Sequence, residues 1–427
     1  MKLKSIFKRS YKYIFILLFI IFNINSNNIC FASSDLELYC NSDLIMDYES
    51  GNVLFENNGY KKVYPASTTK ILTAILALEN LNLDEKIVVS KNAVYSTPVG
   101  SSVIYLQPGE IMTVENLLYG LLIKSGNDAA NVLAEAVSGN TSDFVLLMNK
   151  KLDELKCTNS HFTNAHGFHD KNHYTTVYDM AKIMQYAMKN DNFRKIVETK
   201  EYTIPATNKS EKRVYTNTNK MFNKNYPKMY YEYVLGGKTG YTEEARGTFI
   251  GYGKKDDKIV IVAAFDGSQN INKQEGRFLD SITLFEYAFN NFNKYKFLDK
   301  NLFKHYIYDE NTHTKYLVSI ENDLYALYKN DSYAINYKLN ILDYNLNEKN
   351  IGEKVGNVNI SSIGSSLNTS QVYDLVLIEK SHYFKLDFAI PYLLYTILLI
   401  LTIAILKNIT IFIKYIKKRK KHKKEHI

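Results

Sequence analysis

Strand patterns at the two ends of residues 35–292, with helical patterns between them, predict an α/β (α+β) fold in which distant parts of the chain share one sheet and a helical region is inserted. Three observations carry this expectation. Val53, Leu54 and Phe55 precede the turn signal Asn57-Asn58-Gly59. Ile259 to Phe265 is an unbroken apolar run after Asp257, the mark of a strand covered on both faces. Between them, residues 117–137 and 144–155 repeat their apolar positions with helical spacing. From about residue 296 the pattern changes to short strands such as Tyr333 to Tyr337 and Val372 to Ile378, so residues 296–382 are expected to form a small β-rich domain. That domain carries no chemical motif and reads as a spacer.

The termini read as targeting and anchoring segments. Residues 1–34 combine a basic start (Lys2, Lys4, Lys8, Arg9, Lys12), an apolar run over 13–22 and the small-residue site Cys30-Phe31-Ala32, the plan of an export signal peptide; an uncleaved anchor is the alternative. Residues 388–406 are 19 uncharged, mostly apolar positions, long enough as a helix for roughly 28 Å of hydrocarbon. The basic tail 407–427 follows. Lysines and arginines beside a span stay cytoplasmic, which places residues 35–387 outside the cell, on a single-pass membrane protein. Much of the formal charge of +9 lies in these two ends, so it argues for membrane flanks and against a nucleic-acid partner. After removal of the signal only Cys40 and Cys157 remain, too few for a disulfide framework, although the two could pair.

Chemistry is concentrated in three short stretches. In Pro65-Ala66-Ser67-Thr68-Thr69-Lys70 a helix is expected from about Ser67, with Ser67, Thr68 and Thr69 satisfying its open amides and Ile71, Leu72, Ile75, Leu76 and Leu78 forming its buried face. Positions three apart share a helix face, so Ser67 and Lys70 project together. A lysine activates a serine only when neutral. Starting from an ordinary pKa of about 10.4, half-neutralising it near pH 7 costs about 4.6 kcal/mol, to be met by burial, the helix terminus and a second cation. Ser125-Gly126-Asn127 interrupts a helical run at Gly126 and presents a hydroxyl and an amide. In Gly236-Gly237-Lys238-Thr239-Gly240-Tyr241 the glycines let a peptide approach a strand edge, while Lys238 and Thr239 suit a carboxylate. Each stretch alone also fits a bland reading as a helix cap or a glycine-rich turn.

Together and in this order, Ser67-x-x-Lys70, Ser125-Gly126-Asn127 and Lys238-Thr239-Gly240 resemble the penicillin-binding serine D-alanyl-D-alanine carboxypeptidases of low molecular mass. The resemblance extends to Gly100-Ser101-Ser102, Leu106-Gln107-Pro108-Gly109-Glu110, the segment His161 to Gly167, His173-Tyr174-Thr175-Thr176 and Asp179-Met180-Ala181. It implies a penicillin-binding serine transpeptidase-like, β-lactamase-like domain and acyl transfer without a cofactor or metal. By the same resemblance Ser67 is the nucleophile, Lys70 its base and Ser125 a proton relay. Asn127, Lys238, Thr239 and Gly240 bind substrate, and the backbone amides of Ser67 and Tyr241 form the oxyanion hole. The implied partners are peptidoglycan stem peptides ending in D-Ala-D-Ala, with β-lactams as inhibitors. Thr218 stands where some members of that family carry an arginine near the carboxylate. Three other readings share these residues: an endopeptidase, a β-lactamase and a peptidoglycan binder with an idle cleft. The chain has no Glu-x-x-Leu-Asn segment between Asn127 and Lys238 to position a β-lactamase water. His161, His166, His169 and His173 invite a zinc reading that their spacing does not support, and Arg246 is a further candidate for orienting a carboxylate.

Overall fold

Five strands gather around the apolar run Ile259 to Phe265. The computed structural model describes residues 36–269, 275–329, 334–342, 346–363, 370–382 and 389–424. The expected signal peptide, residues 1–34, lies outside the described residues. The antiparallel sheet contains β1 (Cys40–Asp47), β2 (Val53–Asn57), β3 (Val234–Thr242), β4 (Arg246–Lys255) and β5 (Lys258–Gly267), in the order β2-β1-β5-β4-β3. β5 is thus central, and β3, which carries Lys238-Thr239-Gly240, is an edge. The turn between β1 and β2 is made at Asp47 to Asn52, upstream of the Asn57-Asn58-Gly59 signal.

Both faces of this sheet are covered, which explains the unbroken apolar run. The inserted helices α1 (Lys70–Asn80), α2 (Lys91–Tyr95), α3 (Val114–Tyr119), α4 (Asn127–Ser138), α5 (Thr141–Glu154), α6 (Val177–Ala187) and α7 (Asp191–Glu198) form the main core with Leu44, Met46, Ile261, Ala263 and Phe265. On the other face α8 (Gly276–Asn291) packs Phe278, Leu284 and Phe285 against Ile45, Phe249, Val260 and Val262. α1 is buried from Lys70 through Ala77, all round and not on one face, because it runs through the middle of the main core. Leu78, expected in the buried face, is only half-buried.

The chain divides into two compact units. Among the described residues the first takes in 36–269 and 275–295 together with 325–329, 334–335 and 361–363. Leu327 is buried in the core beneath α8, and its N–H donates to the buried Asp47 carboxylate at 3.1 Å. The cut expected near residues 292–296 is therefore not a single one, because an apolar residue from inside the β-rich stretch fills the first unit's core. The second unit holds most of a five-stranded sheet in the order His305–Asp309, Thr314–Ile320, Ser370–His382, Lys354–Ile363, Ala334–Ile341, with Val318, Val355, Val358, Leu375 and Leu377 buried. Helix α9 (Ala389–Lys424) contains 23 residues, Tyr392–Lys414, long and apolar enough to cross a membrane. This candidate span runs beyond the expected end at residue 406, past Lys407.

Candidate active site

Ser67 lies in a short 3-10 helix, Ala66–Thr69, that runs directly into α1. The hydroxyls of Thr68 and Thr69 donate to the carbonyls of Pro65 (2.7 Å) and Ala66 (2.9 Å), so they brace the turn from behind and do not cap its amides as expected. Ala66 takes a left-handed φ of 48°. Gly167, at φ 82°, lies against it so closely that a Cβ there would stand 1.8 Å from the Ala66 carbonyl oxygen. Only glycine fits that position.

Lys70 is completely buried, and its Nζ has three neighbours: Ser67 Oγ at 2.8 Å, Asn127 Oδ1 at 2.6 Å and the His166 carbonyl at 2.7 Å. Burial first, and the Lys238 charge second, hold its pKa well below the ordinary lysine range. Asp128 opposes this weakly, its carboxylate already taken by the N–H groups of Ile104, Leu106 and Ala129.

Ser125 is presented by an interrupted helix. A π-helical turn, Gly120–Lys124, follows α3, and Ser125 itself adopts the left-handed φ of 69° before α4 begins at Asn127. The break thus falls on the serine, one residue before the expected Gly126. Gly126 matters for space: a Cβ would meet Asp128 Oδ1 at 2.9 Å and Ile104 Cγ2 at 3.0 Å. This geometry aims the Ser125 hydroxyl at Lys238, whose Nζ donates to it at 3.0 Å and to the Thr239 carbonyl at 2.8 Å.

Lys238 is also buried, and burial, then the Arg277 charge, lower its pKa to about 7. Thr239 Oγ1 lies 2.7 Å from Thr218 Oγ1. Gly240 brings β3 against the turn that carries Ser67, since a Cβ there would stand 2.8 Å from the Ser67 nitrogen and 2.4 Å from Thr248 Oγ1. Tyr241 follows with its side chain 67% exposed and its backbone in register with Gly247. The structure therefore gathers Ser67, Lys70, Ser125, Asn127, Lys238, Thr239 and Gly240 into one site from three separate segments.

Arg277 belongs to the surroundings of this site and carries no sequence signal. Its guanidinium donates to the Gly240 carbonyl and pairs with Glu275, which also holds Lys220. No motif surrounds Glu275-Gly276-Arg277, so only the packing of α8 on the sheet identifies it. Arg246, considered for a carboxylate, pairs instead with Asp266 at 3.1 Å.

The histidines build the loop that supports Lys70. Thr163 N–H donates to His173 Nδ1 at 3.0 Å, which leaves Nε2 to donate to Thr69 Oγ1 at 2.8 Å, and the ring stacks on Phe162. His161 Nδ1 bonds the Asn172 carbonyl, and His169 packs edge-on against Tyr64. Burial lowers the pKa of both His166 and His173 to about 3, so both rings are neutral. Cys40 and Cys157 are buried free thiols and do not pair.

Residues 29–269, more than half of the chain, match the family model described as D-alanyl-D-alanine carboxypeptidase. The D-alanyl-D-alanine carboxypeptidase DacF of Bacillus subtilis is 34% identical over 255 residues, which cover 58% of this chain and 63% of that relative, just under two thirds of its length. A crystal structure of a D-alanyl-D-alanine carboxypeptidase from Mycobacterium tuberculosis superposes with a TM-score of 0.54 at 29% identity, covering 60% of this chain and 95% of the other. Penicillin binding protein 5 from Haemophilus influenzae shares the fold over 82% of this chain and 99% of its own, with a TM-score of 0.62 at 23% identity. The family match and the cleft converge, and the chain belongs to the D-alanyl-D-alanine carboxypeptidase family of serine hydrolases.

Proposed function

We propose that this protein removes the terminal D-alanine from peptidoglycan stem peptides through an acyl-enzyme on Ser67. The observation that carries the reading is the set of neighbours around Lys70. Asn127 Oδ1 and the His166 carbonyl only accept, so they take two N–H groups of the amine. In the neutral amine the lone pair is left for the third neighbour, the Ser67 hydroxyl at 2.8 Å. Burial that lowers the lysine's pKa thus also aims it as a base.

The chemistry follows in two halves. Ser67 passes its proton to Lys70 and its Oγ attacks the carbonyl between the two D-alanines. The resulting oxyanion lies against the backbone amides of Ser67 and Tyr241. Collapse breaks the C–N bond, Ser125 relays a proton to the leaving amine, and one D-alanine departs. Water then attacks the ester, and Ser67 recovers its proton. Asn127 holds the substrate amide, the peptide backbone runs along the β3 edge, and Lys238 with Thr239 binds the terminal carboxylate.

The same reading places the catalytic domain at residues 35–292 outside the cell, after export by residues 1–34. It is tethered by the C-terminal helix with the basic tail in the cytoplasm. Residues 296–382 lie between the catalytic region and the anchor in the chain and serve as a spacer. β-Lactams acylate the same serine.

Purified protein is mixed with a labelled penicillin, digested, and the labelled peptide is identified by mass spectrometry. A stable adduct on Ser67, absent in Ser67→Ala, together with release of D-alanine from a D-Ala-D-Ala peptide, is the expected result. Rapid penicillin turnover without an adduct would favour a β-lactamase. Neither an adduct nor hydrolysis would leave a peptidoglycan-binding protein.

A further inference from the structure

Thr218 belongs to none of the three motifs, yet it touches both walls of the cleft. Its N–H donates to the carbonyl of Ile123 at 3.2 Å, in the π turn that leads to Ser125. Its hydroxyl lies 2.7 Å from that of Thr239 on the sheet edge. The residue is solvent-exposed, whereas Thr239 is 6% exposed.

Counting protons shows what this pair can offer a ligand. Among the described residues neither hydroxyl has another hydrogen-bond partner, so one proton joins the two oxygens and one is left over. The neighbouring cations are largely occupied. Lys238 gives N–H groups to Ser125 Oγ and the Thr239 carbonyl, and Arg277 gives its own to Gly240 and Glu275. A carboxylate at this end of the cleft meets one remaining Lys238 N–H and one hydroxyl proton. The direction of the threonine pair decides whether that proton faces it.

We propose that Thr218 is a positioning residue for the substrate's terminal carboxylate, donating to Thr239 Oγ1 so that the Thr239 proton points into the cleft. The inference rests on the D-Ala-D-Ala reading above. A hydroxyl that already accepts a hydrogen bond is a stronger donor, and one held in a single rotamer loses less freedom when it binds an anion. Thr218 therefore acts through Thr239 and contributes to substrate binding more than to bond breaking.

The test uses the full-length protein in detergent and two peptides, one ending in D-Ala-D-Ala and the same peptide with a C-terminal amide. In Thr218→Val the KM for the acid is expected to rise about fivefold, in line with the loss of the neutral hydrogen bond that orients the Thr239 hydroxyl. kcat is expected to stay within about twofold, cleavage of the amide to be unaltered, and Thr218→Ser to restore the acid's KM. An unchanged KM, or an equal loss for acid and amide, overturns the proposal, the latter making Thr218 a mere tie between the walls. Failure of the unmodified protein to cleave the acid would instead remove the D-Ala-D-Ala reading itself.

Discussion

Lys70 Nζ lies 2.8 Å from Ser67 Oγ and 2.7 Å from the carbonyl of His166, a residue nearly a hundred positions downstream. The short Ser-x-x-Lys spacing brings the two side chains together, but the distant loop holds the lysine in place. Replacing Lys70 by Met, which keeps the unbranched stem and removes the amine, should slow penicillin acylation of Ser67 by about 10²–10⁴, the usual contribution of a positioned general base. Stopped-flow acylation measures this, and a rate near that of the unmodified protein would exclude Lys70 as the base.

Two lysines with lowered pKa values should shape the pH profile in opposite senses. Activity rises with pH as Lys70 loses its proton, and falls as Lys238 loses the charge that binds carboxylate on passing about pH 7. For free enzyme, kcat/KM for a D-Ala-D-Ala peptide should therefore be bell-shaped, with its falling limb near neutrality. The amide-ended peptide should lack that limb. A falling limb of equal size for both peptides would assign it to another group.

Gly240→Ala tests the close approach of the edge strand to Ser67. The added methyl would meet the Ser67 nitrogen at 2.8 Å and Thr248 Oγ1 at 2.4 Å, forcing β3 outward. Acylation should fall by more than tenfold, about 1.4 kcal/mol or more in barrier height, while the far-ultraviolet circular dichroism spectrum is retained.

Asp43 predicts a pH-dependent stability. Burial, and Asp280 beside it, raise its pKa from 3.8 to about 8. Between these values the folded state holds a proton that the unfolded state has lost, so stability falls as pH rises from about 4 to about 8. Asp43→Asn, neutral at every pH, should melt higher than the unmodified protein at pH 8 and show little gain at pH 4. A gain independent of pH would refute the assignment.

Ending the chain at Phe292 should destabilise the first unit itself. It removes Leu327, 3% exposed, from the core under α8 and leaves the buried Asp47 carboxylate without one of its donors. The lost hydrogen bond alone is worth about 1–3 kcal/mol. Melting of the truncated and full chains side by side measures this. Equal stability would mean that the residues beyond 292 do nothing for the first unit.

The chemical motifs were legible because each consists of neighbours in the chain. Ser67 and Lys70 share one helical turn, Ser125 and Asn127 one helix break, and Lys238 to Gly240 one strand. The apolar run Ile259 to Phe265 likewise announced a strand covered on both sides. These are local statements, governed by helix and strand periodicity. What they left open depends on residues far apart in sequence. His166 braces Lys70, Gly167 fits only against Ala66, Arg277 holds the Gly240 carbonyl, and Thr218 joins Ile123 to Thr239. Leu327 completes a core more than thirty residues beyond the expected boundary. A hydrogen bond or a close packing contact between distant segments leaves no periodic trace in either segment. Local order therefore determined which residues could do the chemistry, and tertiary packing decided how each is aimed, neutralised and held.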